Sequence, residues 1–285
     1  MISVVICSVR PDRLEKVRES IAATIGVAHE FRVIHNQIER LGICAAYNKA
    51  AQGATGDILC FVHEDVAMLT PGWGQRVLRH FAADAELGLI GVAGSRYKSR
   101  TLSGWSQGNE ELDCGNIHEG ATLAAARRWM ARPAAFAGAT RVPVCVLDGV
   151  WLCVRRSVWA ALRFDESIAG FHFYDIDFSL RCHRSYRVAV VYDVDLLHFS
   201  TGTFGHEWAH AALAFHQVAA DWLPASCAIA DQDQMLRWER GVQKSWLKRM
   251  RKRLHGLRLK WRWLQAMSAP ADWRDAWRRL WFLLS

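Results

Sequence analysis

Short apolar runs alternate with segments of helical periodicity through the first third of the chain. Residues 2–7 (ISVVIC) predict a strand, and the next segment predicts a helix because Leu14, Val17 and Ile21 recur at helical spacing. The runs EFRVIHN, DILCFV and ELGLIGVAG predict three more strands, with a helix over residues 42–53 between the first two. Strands that alternate with helices build βαβ units around a mostly parallel sheet. We therefore predict an α/β fold.

This alternation stops in the middle of the chain. Residues 94–120 are polar and rich in Gly and Ser, which predicts a long loop that is either a functional lid or a disordered insertion. Helical sequence follows around residues 121–132. The run VPVCVLDGVWLCVRR is then predicted to form one strand before a helix over residues 157–162.

The composition is that of a globular protein. Its 285 residues, 51% of them hydrophobic, can bury a full core in one large domain or two. No apolar run is long enough to span a bilayer, and the N-terminal segment lacks the long apolar core of a secretory signal, so we expect neither feature. The eight cysteines are scattered without a CxxC pair, which favours buried thiols in a reducing cytoplasm over disulfides or a zinc site.

Positive charge is concentrated at the C-terminal end. Between Arg237 and Ser285 there are 14 Lys or Arg residues and three acidic residues, so a net +11 there leaves −3 for the rest of a chain whose total is +8. Seven of the 14 tryptophans also lie in this stretch. We therefore predict an α/β domain over residues 1–220 and a basic, Trp-rich helical region over residues 221–285.

The basic region has the pattern of an amphipathic helix. Its apolar positions recur three or four residues apart, at Trp246, Met250, Leu254, Leu257, Trp261 and Leu264. Such a helix can lie in the interface of an anionic membrane, and DWRDAWRRLWFLL supplies a second amphipathic segment. Alternatively, this stripe packs on the rest of the chain or on a second copy. Nucleic-acid binding is disfavoured, because the aromatic residues follow helical packing and do not form a stacking platform.

Carboxylate and imidazole side chains stand at the ends of apolar runs. Asp65 closes the run CFVHED, His198 closes DVDLLH, and Asp175 and Asp177 begin a helical segment. Strand ends of this kind suit a divalent cation and a proton acceptor. The pattern indicates metal-assisted group transfer.

Four motifs in this order resemble glycosyltransferase family 2, within the group whose metal motif begins with His. They are VVICSVRP, AAYNKAAQGATGDILCFVHEDV, LDGVWLCVRRSVW followed by FDESIAGFHFYDIDFSLRC, and DLLHFSTG. The resemblance covers roughly residues 1–220 and implies a GT-A fold, a Rossmann-like and mostly parallel sheet flanked by helices. The loop at 94–120 would then lie on the acceptor side.

This resemblance also assigns the metal ligands. The family's Asp-x-Asp motif reads His63-Glu64-Asp65 here, so that Asp65 is the direct ligand, His63 faces the nucleotide ribose and the metal, and Glu64 points away. His198 would add an imidazole from the other side of the cleft, and this ligand set suits Mn²⁺ or Mg²⁺. The cation would neutralise the leaving diphosphate.

The base and the donor-binding residues are assigned in the same way. Asp175 stands at the position of the catalytic base, with Tyr174 where Glu is common, and its alternative role is that of a helix cap. Asp148 would bind sugar hydroxyls or open a turn with Gly149. The nucleotide-binding candidates are Ser8, Arg10, Asn36 and Asn48.

The resemblance therefore implies an inverting, metal-dependent glycosyltransferase. It would move a sugar from a nucleotide-sugar donor to a glycan or a polyprenyl- or lipid-linked glycan, in the synthesis of a bacterial surface polysaccharide such as lipopolysaccharide. The C-terminal helices would hold it on the anionic inner face of the cytoplasmic membrane, as a peripheral, cytoplasmic protein. The alternative is a catalytically silent GT-A-like module that binds saccharide or nucleotide in a membrane-attached assembly.

One further motif points to a different enzyme class. HEWAHAALAFH places His206, Glu207, His210 and His216 at the spacing of a metzincin zinc protease. That motif needs a Gly turn before its third His, and Leu213 stands there instead. In an unbroken helix the third His lies too far along the axis to join the other two. A surface helix is therefore the preferred interpretation.

Overall fold

A computed structural model describes residues 1–200, 202, 204–251, 253–267 and 273–284. These residues form an α/β fold of sheets flanked by helices, as predicted. The strands are β1 (Ile2–Ser8), β2 (His29–His35), β3 (Ile58–Val62), β4 (Val66–Met68), β5 (Leu87–Gly91), β6 (Ala93–Ser95), β7 (Tyr97–Lys98), β8 (Asp113–Glu119), β9 (Arg127–Ala131), β10 (Arg141–Pro143), β11 (Val146–Leu147), β12 (Trp151–Arg155), β13 (Arg187–Val191), β14 (Leu196–His198) and β15 (Ala225–Ser226). The α-helices are α1 (Pro11–Thr24), α2 (Asn36–Glu39), α3 (Ile43–Gln52), α4 (Trp73–Ala82), α5 (Arg156–Leu162), α6 (Tyr174–His183), α7 (His206–Val218), α8 (Gln232–Arg251), α9 (Leu257–Gln265) and α10 (Trp273–Leu284).

The central sheet has seven strands in the order β10-β13-β5-β12-β3-β1-β2. Five of them run in the same direction, whereas β12 and β10 are antiparallel to their neighbours. Residues alternate between two cores along each strand, so that Val5 and Phe61 belong to one cluster and Val4 and Cys60 to the other. The run DILCFV is apolar throughout because β3 is buried on both faces.

A second sheet has the strand order β11-β6-β8-β14-β4, with β9 beside β8. Several of its strands, such as β4 and β6, directly follow strands of the central sheet along the chain. β4 follows β3 after three residues and pairs antiparallel with β14, so that Val66 lies opposite His198. This register brings the residues between β3 and β4 beside the end of β14.

Three predictions for the middle of the chain are wrong. Residues 121–132 hold a 3₁₀ turn and the strand β9, because Arg127–Ala131 pairs antiparallel with β8. The run VPVCVLDGVWLCVRR is divided among β10, β11 and β12, which belong to two different sheets. The 94–120 loop is shorter than predicted, since β6, β7 and β8 occupy its ends and leave residues 99–112 between them.

The C-terminal helices pack against the α/β domain. Four residues of the predicted stripe are buried in one cluster with side chains of α6 and α7, namely Trp246, Met250, Leu254 and Leu264. Leu257 and Trp261 are 67% and 54% exposed instead. The stripe is not one helix face, because α8 ends at Arg251 and α9 begins at Leu257. Packing on the rest of the chain, the alternative considered above, holds for these four residues.

None of the described helices is long and apolar enough to cross a membrane. All eight cysteines are free, and six of them are buried, as the scattered pattern predicts. Burial raises the pKa of the Cys44 and Cys182 thiols to about 12, so both stay protonated at neutral pH.

Candidate active site

The chain crosses from the central sheet to the second sheet between β3 and β4. The His63 amide donates to the Val150 carbonyl at 3.1 Å, and the Phe199 amide donates to the Asp65 carbonyl at 2.9 Å. These two backbone hydrogen bonds fix the crossing segment at both ends. The side chains of His63 and Asp65 consequently lie beside His198, the last residue of β14.

The side chains of His63, Asp65 and His198 converge on one point. Each offers one ligand atom, and these atoms lie within 4.8 Å of one another; within the described residues this is the one such group of three. Asp65 Oδ1 is 3.4 Å from His198 Nε2 and 4.0 Å from His63 Nδ1. Two imidazole nitrogens and a carboxylate oxygen are a donor set that can hold a divalent metal ion. The three residues predicted as metal ligands are thus brought together.

The three side chains of this group shift one another's pKa values. Burial would raise the pKa of Asp65, but the hydrogen bond with His198 and the charges of His198 and His63 hold it well below its usual range. Burial lowers the pKa of His63, and the neighbouring His198 lowers it further. Burial opposes protonation of His198, yet the bond to Asp65 raises the pKa of His198. Asp65 is therefore ionised and His63 neutral at pH 7, as metal ligands must be.

The Tyr174 hydroxyl selects the tautomer of His63. It lies 2.8 Å from His63 Nε2 and donates to the Gly149 carbonyl at 3.1 Å. Because a carbonyl can only accept, the hydroxyl oxygen must accept a hydrogen from Nε2 of the neutral imidazole. The other nitrogen, Nδ1, keeps its lone pair on the side of Asp65. Hydrogen bonds of this kind orient the imidazoles that bind metals.

Asp175 lies at the start of α6 and lines the same cavity as His63. Its Oδ2 accepts from the Gly149 amide at 2.8 Å and its Oδ1 from the Ile176 amide at 2.9 Å. Burial and the charge of Asp148 raise its pKa to about 7, although the two amides oppose the shift. A carboxyl group that titrates near neutral pH is suited to accept and release a proton during a reaction.

The start of α6 is held in a strained conformation. Phe173 has a φ of 67°, in the left-handed region, and its ring packs 5.2 Å from Trp208 and 5.1 Å from Phe215 of α7. A left-handed non-glycine residue costs roughly 1–2 kcal/mol, which this aromatic packing offsets. Asp177 is directed elsewhere, in an ion pair with Arg181 at 2.7 Å. The two carboxylates of this helix therefore have different partners.

Asp148 and Gly149 form the turn that enters β12. Asp148 Oδ1 accepts from the Val150 amide at 2.8 Å, and the residue lines the cavity. A Cβ atom on Gly149 would overlap the Tyr174 hydroxyl, so only glycine fits here. The turn role proposed for Asp148 is therefore present, and contact with a sugar hydroxyl stays a prediction.

Glu64 organises the loop that follows β1. Its carboxylate accepts from the Ser8 hydroxyl at 2.6 Å and from the amides of Val9 and Arg10, both at 3.0 Å. Glu64 thus points away from the metal-binding group, as expected, and holds the predicted nucleotide loop. The Arg10 guanidinium is paired with Asp12 at 3.1 Å. The nucleotide-binding roles of Ser8 and Arg10 stay predictions.

The two asparagines predicted to bind nucleotide have internal partners. The Asn36 amide group exchanges hydrogen bonds with the Leu41 backbone at 2.8 and 3.0 Å. Asn48 accepts from the Phe164 amide and the Trp159 indole, and donates to the Phe164 carbonyl. Both are buried and neither lines the cavity. The structure thus gives both residues a role in the fold, and their nucleotide-binding roles stay predictions.

A cavity of about 800 Å³ collects the candidate residues. His63, Asp148, Asp175 and His198 line one part of it. Further lining residues were not predicted from the sequence to belong to a site, notably Trp105, Trp129, Phe204, Trp246, Arg249 and Arg253. Trp246, Arg249 and Arg253 belong to the basic, Trp-rich region that the sequence marked as distinct. Its helical periodicity, however, predicted contact with a membrane and not with a cavity.

Helix α7 does not assemble a zinc site. His216 is buried, where its ring contacts Lys98 Nζ at 2.9 Å and the Ala212 carbonyl at 2.8 Å. His206 instead accepts from the His255 amide at 3.1 Å, and His210 is exposed. As expected, α7 is a surface helix: one side is exposed, and the other belongs to the cluster that contacts α6 and α8.

Comparison with known proteins is consistent with this geometry. Residues 3–219 match the model of a glycosyltransferase-like family. No curated protein matches the chain. The crystal structure of S. aureus TarS 1-349 is similar, with a TM-score of 0.55 and 11% identity, over 99% of this chain and 88% of that one. The same protein in complex with UDP gives a TM-score of 0.52 and 10% identity, with the same coverage. Because the family model covers most of its length, the chain belongs to the glycosyltransferase-like family, of the family 2 type with a GT-A fold.

Proposed function

We propose that the protein is an inverting, metal-dependent glycosyltransferase that moves a sugar from a nucleoside diphosphate donor to a glycan or a lipid-linked glycan. The observation that carries this proposal is the cavity in which the His63, Asp65 and His198 group adjoins Asp175. The group of three residues is suited to bind a cation, and the Asp175 carboxylate is suited to accept a proton. The similarity to a TarS structure in complex with UDP supports a nucleoside diphosphate as the donor class.

His63, Asp65 and His198 would hold Mn²⁺ or Mg²⁺. The fit rests on the three convergent ligand atoms and on the Tyr174 hydroxyl, which leaves Nδ1 of His63 unprotonated. When bound, the cation stabilises the negative charge that develops on the leaving diphosphate. Arg13, whose guanidinium lies 3.7 Å from Asp65 Oδ2, adds positive charge on the same side.

Asp175 acts on the acceptor. Its carboxylate takes the proton of the acceptor hydroxyl as that oxygen bonds to the anomeric carbon and the bond from that carbon to the diphosphate oxygen breaks. The sugar passes through an oxocarbenium-like state, and one displacement inverts its configuration. The amides of Gly149 and Ile176 hold the carboxylate in place for this step.

Binding of nucleotide and metal tests this proposal. The melting temperature of the full chain is measured with UDP, GDP, ADP and CDP, each with Mn²⁺, Mg²⁺ or EDTA. A nucleotide at 100 times its dissociation constant adds roughly 2.7 kcal/mol of stability, so a shift that requires one nucleotide together with metal is expected. In the Asp65→Asn variant, adding metal should no longer increase the nucleotide-dependent shift in melting temperature, and most of that shift should be lost.

The contrary outcomes are distinct. No shift with any nucleotide, under any metal condition, would overturn the transferase proposal. A nucleotide shift combined with unaltered behaviour of Asp175→Asn in every assay would indicate the catalytically silent binding module. An active enzyme should bind the donor normally as Asp175→Asn and lose transfer.

The acceptor is proposed to be lipid-linked, in bacterial surface polysaccharide synthesis, with the enzyme peripheral on the inner face of the cytoplasmic membrane. Support comes from apolar side chains at helical spacing on α9 and α10 that are 54–75% exposed, namely Leu257, Trp261, Trp277, Trp281 and Leu284. Exposed arginines accompany them on both helices, at Arg258, Arg262 and Arg274. Exposed Trp among basic residues fits an anionic lipid surface.

Vesicle sedimentation tests the membrane part separately. The protein should bind phosphatidylglycerol vesicles and release them at high salt, while phosphatidylcholine vesicles should bind it poorly. The double variant Trp261→Ala with Trp277→Ala should weaken binding several-fold. Val218→Ala, a change at a 76% exposed position of α7, serves as the control. Equal sedimentation of all three proteins would refute this surface as the membrane contact.

A further inference from the structure

Arg249 and Arg253 enter the cavity from the C-terminal end of α8. Their guanidinium carbons lie 5.2 and 5.0 Å from the centre of the Phe204 ring, and that of Arg249 lies 4.9 Å from the Trp246 ring. Trp246 is in turn stacked on Trp208 at 4.9 Å with an angle of 5° between the rings. Planar guanidinium groups stack well on aromatic faces, so these rings hold both cations in defined positions.

Neither guanidinium group forms an ion pair in the part of the chain that the structure describes. The ion pairs and side-chain hydrogen bonds of the described residues include neither Arg249 nor Arg253. Asp113 attracts Arg249, but its own oxygens already accept from Ser106 and from the amides of Gln107 and Gly108. Burial and the neighbouring charge of Arg253 lower the pKa of Arg249. Two like charges are therefore held close together at an exposed part of the cavity, and Asp113 offsets only part of them.

This arrangement matches one class of ligand. Two adjacent guanidinium groups present about two positive charges and several N–H donors to the cavity. A phosphoryl group carries about −1.5 to −2 charges near pH 7 and several acceptor oxygens, and arginine recognises such groups well. A neutral sugar hydroxyl would leave both charges unpaired.

We propose that Arg249 and Arg253 form a phosphoryl-binding subsite of the cavity, one that the motifs of residues 1–220 do not contain. The proposal rests on the transferase function, which supplies two sources for the anion. One is the diphosphate of the donor, and the other is a phosphate carried by the acceptor, such as the phosphate of a lipid-linked glycan.

Pyrophosphate titration of the full chain tests whether the subsite exists. Calorimetry is performed in EDTA, so that no divalent cation contributes to pyrophosphate binding. The double variant Arg249→Gln with Arg253→Gln should bind pyrophosphate at least tenfold more weakly, which corresponds to about 1.4 kcal/mol. The Gln side chains keep part of the stacking on Phe204, and an unchanged melting temperature confirms that the fold is intact.

Two further variants make this result specific. Arg249→Lys with Arg253→Lys keeps both charges and should retain an intermediate affinity. Arg258→Gln with Arg262→Gln removes two exposed charges of α9 that do not line the cavity, and it should bind pyrophosphate like the wild type. No binding by the wild type, or equal affinities for the two Gln double variants, would overturn the subsite.

Nucleotides then identify the source of the anion. If the subsite holds the donor diphosphate, the Arg249→Gln, Arg253→Gln variant loses affinity for the nucleoside diphosphate that binds in the panel of UDP, GDP, ADP and CDP, and not for its parent nucleoside. If it holds an acceptor phosphate, pyrophosphate affinity falls while nucleotide affinity is kept. Failure of the transferase function looks different, since no nucleotide would bind under any metal condition while the effect on pyrophosphate would remain.

Discussion

Two groups of titratable side chains at the cavity differ in electrostatic balance; one includes His63 and His198 of the lining, and the other is Arg249 and Arg253. His63, Asp65 and His198 compensate one another, since the carboxylate lies 3.4 Å from one imidazole and 4.0 Å from the other. Arg249 and Arg253 instead lie on the same aromatic ring and form no ion pair within the described residues, although Asp113 attracts Arg249. In the first group the charges of the carboxylate and the imidazoles balance, and a metal ion can replace the proton that His198 carries beside Asp65. The second carries an excess of positive charge that an incoming anion would relieve.

These groups also come from different parts of the chain. The first belongs to strand ends of the α/β domain, and the second belongs to the basic helical region whose inner face packs on α6 and α7. A boundary near residue 220 therefore does not separate the cavity from the C-terminal helices. Within one cavity, the α/β domain offers a site for a cation and the helical region offers a site for an anion.

Removing the base should give the largest effect and would show whether the α/β part of the cavity performs the chemistry. Asp175→Asn cannot accept a proton, and loss of general base catalysis lowers the rate typically by 10²–10⁴-fold. The measurement is kcat for sugar transfer, or for donor hydrolysis, together with the donor dissociation constant. The donor dissociation constant should change less than about twofold, because the base does not contact the diphosphate.

The neighbouring carboxylate supplies the control for that variant. Asp177→Asn, on the same helix, breaks an ion pair with Arg181 and should lower stability while kcat of the folded enzyme is kept. Equal losses of kcat in both variants would mean that Asp175 acts only through the start of α6.

Tyr174→Phe should weaken metal binding without touching a metal ligand. Removing the hydroxyl frees Nε2 of His63 and allows the wrong tautomer, and loss of such a supporting hydrogen bond typically costs 10–100-fold in metal affinity. Calorimetric titration with Mn²⁺ gives the dissociation constant. Tyr97→Phe is the control, because it also removes one tyrosine hydroxyl, whose partner is Glu239 at 2.7 Å, and Tyr97 does not line the cavity. Equal affinities in the two variants would exclude the tautomer argument.

The sequence predicts the compensated group well and the uncompensated group poorly. Asp65 and His198 stand at the ends of apolar runs, and the resemblance to glycosyltransferase family 2 assigns both as ligands. The antiparallel pairing of β4 with β14 then brings them together. Arg249 and Arg253 lie in a segment whose periodicity is equally compatible with a lipid surface and with α6 and α7. Only tertiary packing decides between these partners. The same limit explains residues 121–132, where pairing with β8 overrides helical sequence.

The pH dependence of transfer should follow Asp175. Its pKa is raised to about 7 by burial and by Asp148, so kcat/KM should rise with pH toward a plateau above that value and fall about tenfold per unit below it. The profile is measured between pH 5 and pH 9 at saturating metal. A profile that is flat down to pH 5 would contradict the assignment of this carboxyl group as the base.

Stability provides an independent check with a defined sign. Because the folded-state pKa of Asp175 is raised, its contribution to stability is present below about pH 4 and is lost as the pH rises through about 7. Asp175→Asn should therefore be more stable than the wild type at pH 8, by at most about 4 kcal/mol, and this advantage should shrink toward pH 5. Denaturant unfolding at both pH values measures the difference. An advantage that is the same at pH 5 and pH 8 would exclude a buried carboxyl group with a raised pKa.

The smallest expected effect concerns the aromatic support of the arginine pair. Phe204→Leu keeps an apolar side chain beneath Arg249 and Arg253 but removes the ring face, and an interaction of this kind is worth about 0.5–1 kcal/mol where water has access. Pyrophosphate affinity should therefore fall about two- to fivefold, while the Mn²⁺ affinity of the His63, Asp65 and His198 group stays unchanged. Phe199→Leu, at a 42% exposed phenylalanine outside the cavity lining, is the matched control. A loss of both affinities would show that the two groups are coupled through the segment around residue 200, whereas a loss of neither would show that charge alone, and not its support by the ring, defines the anion subsite.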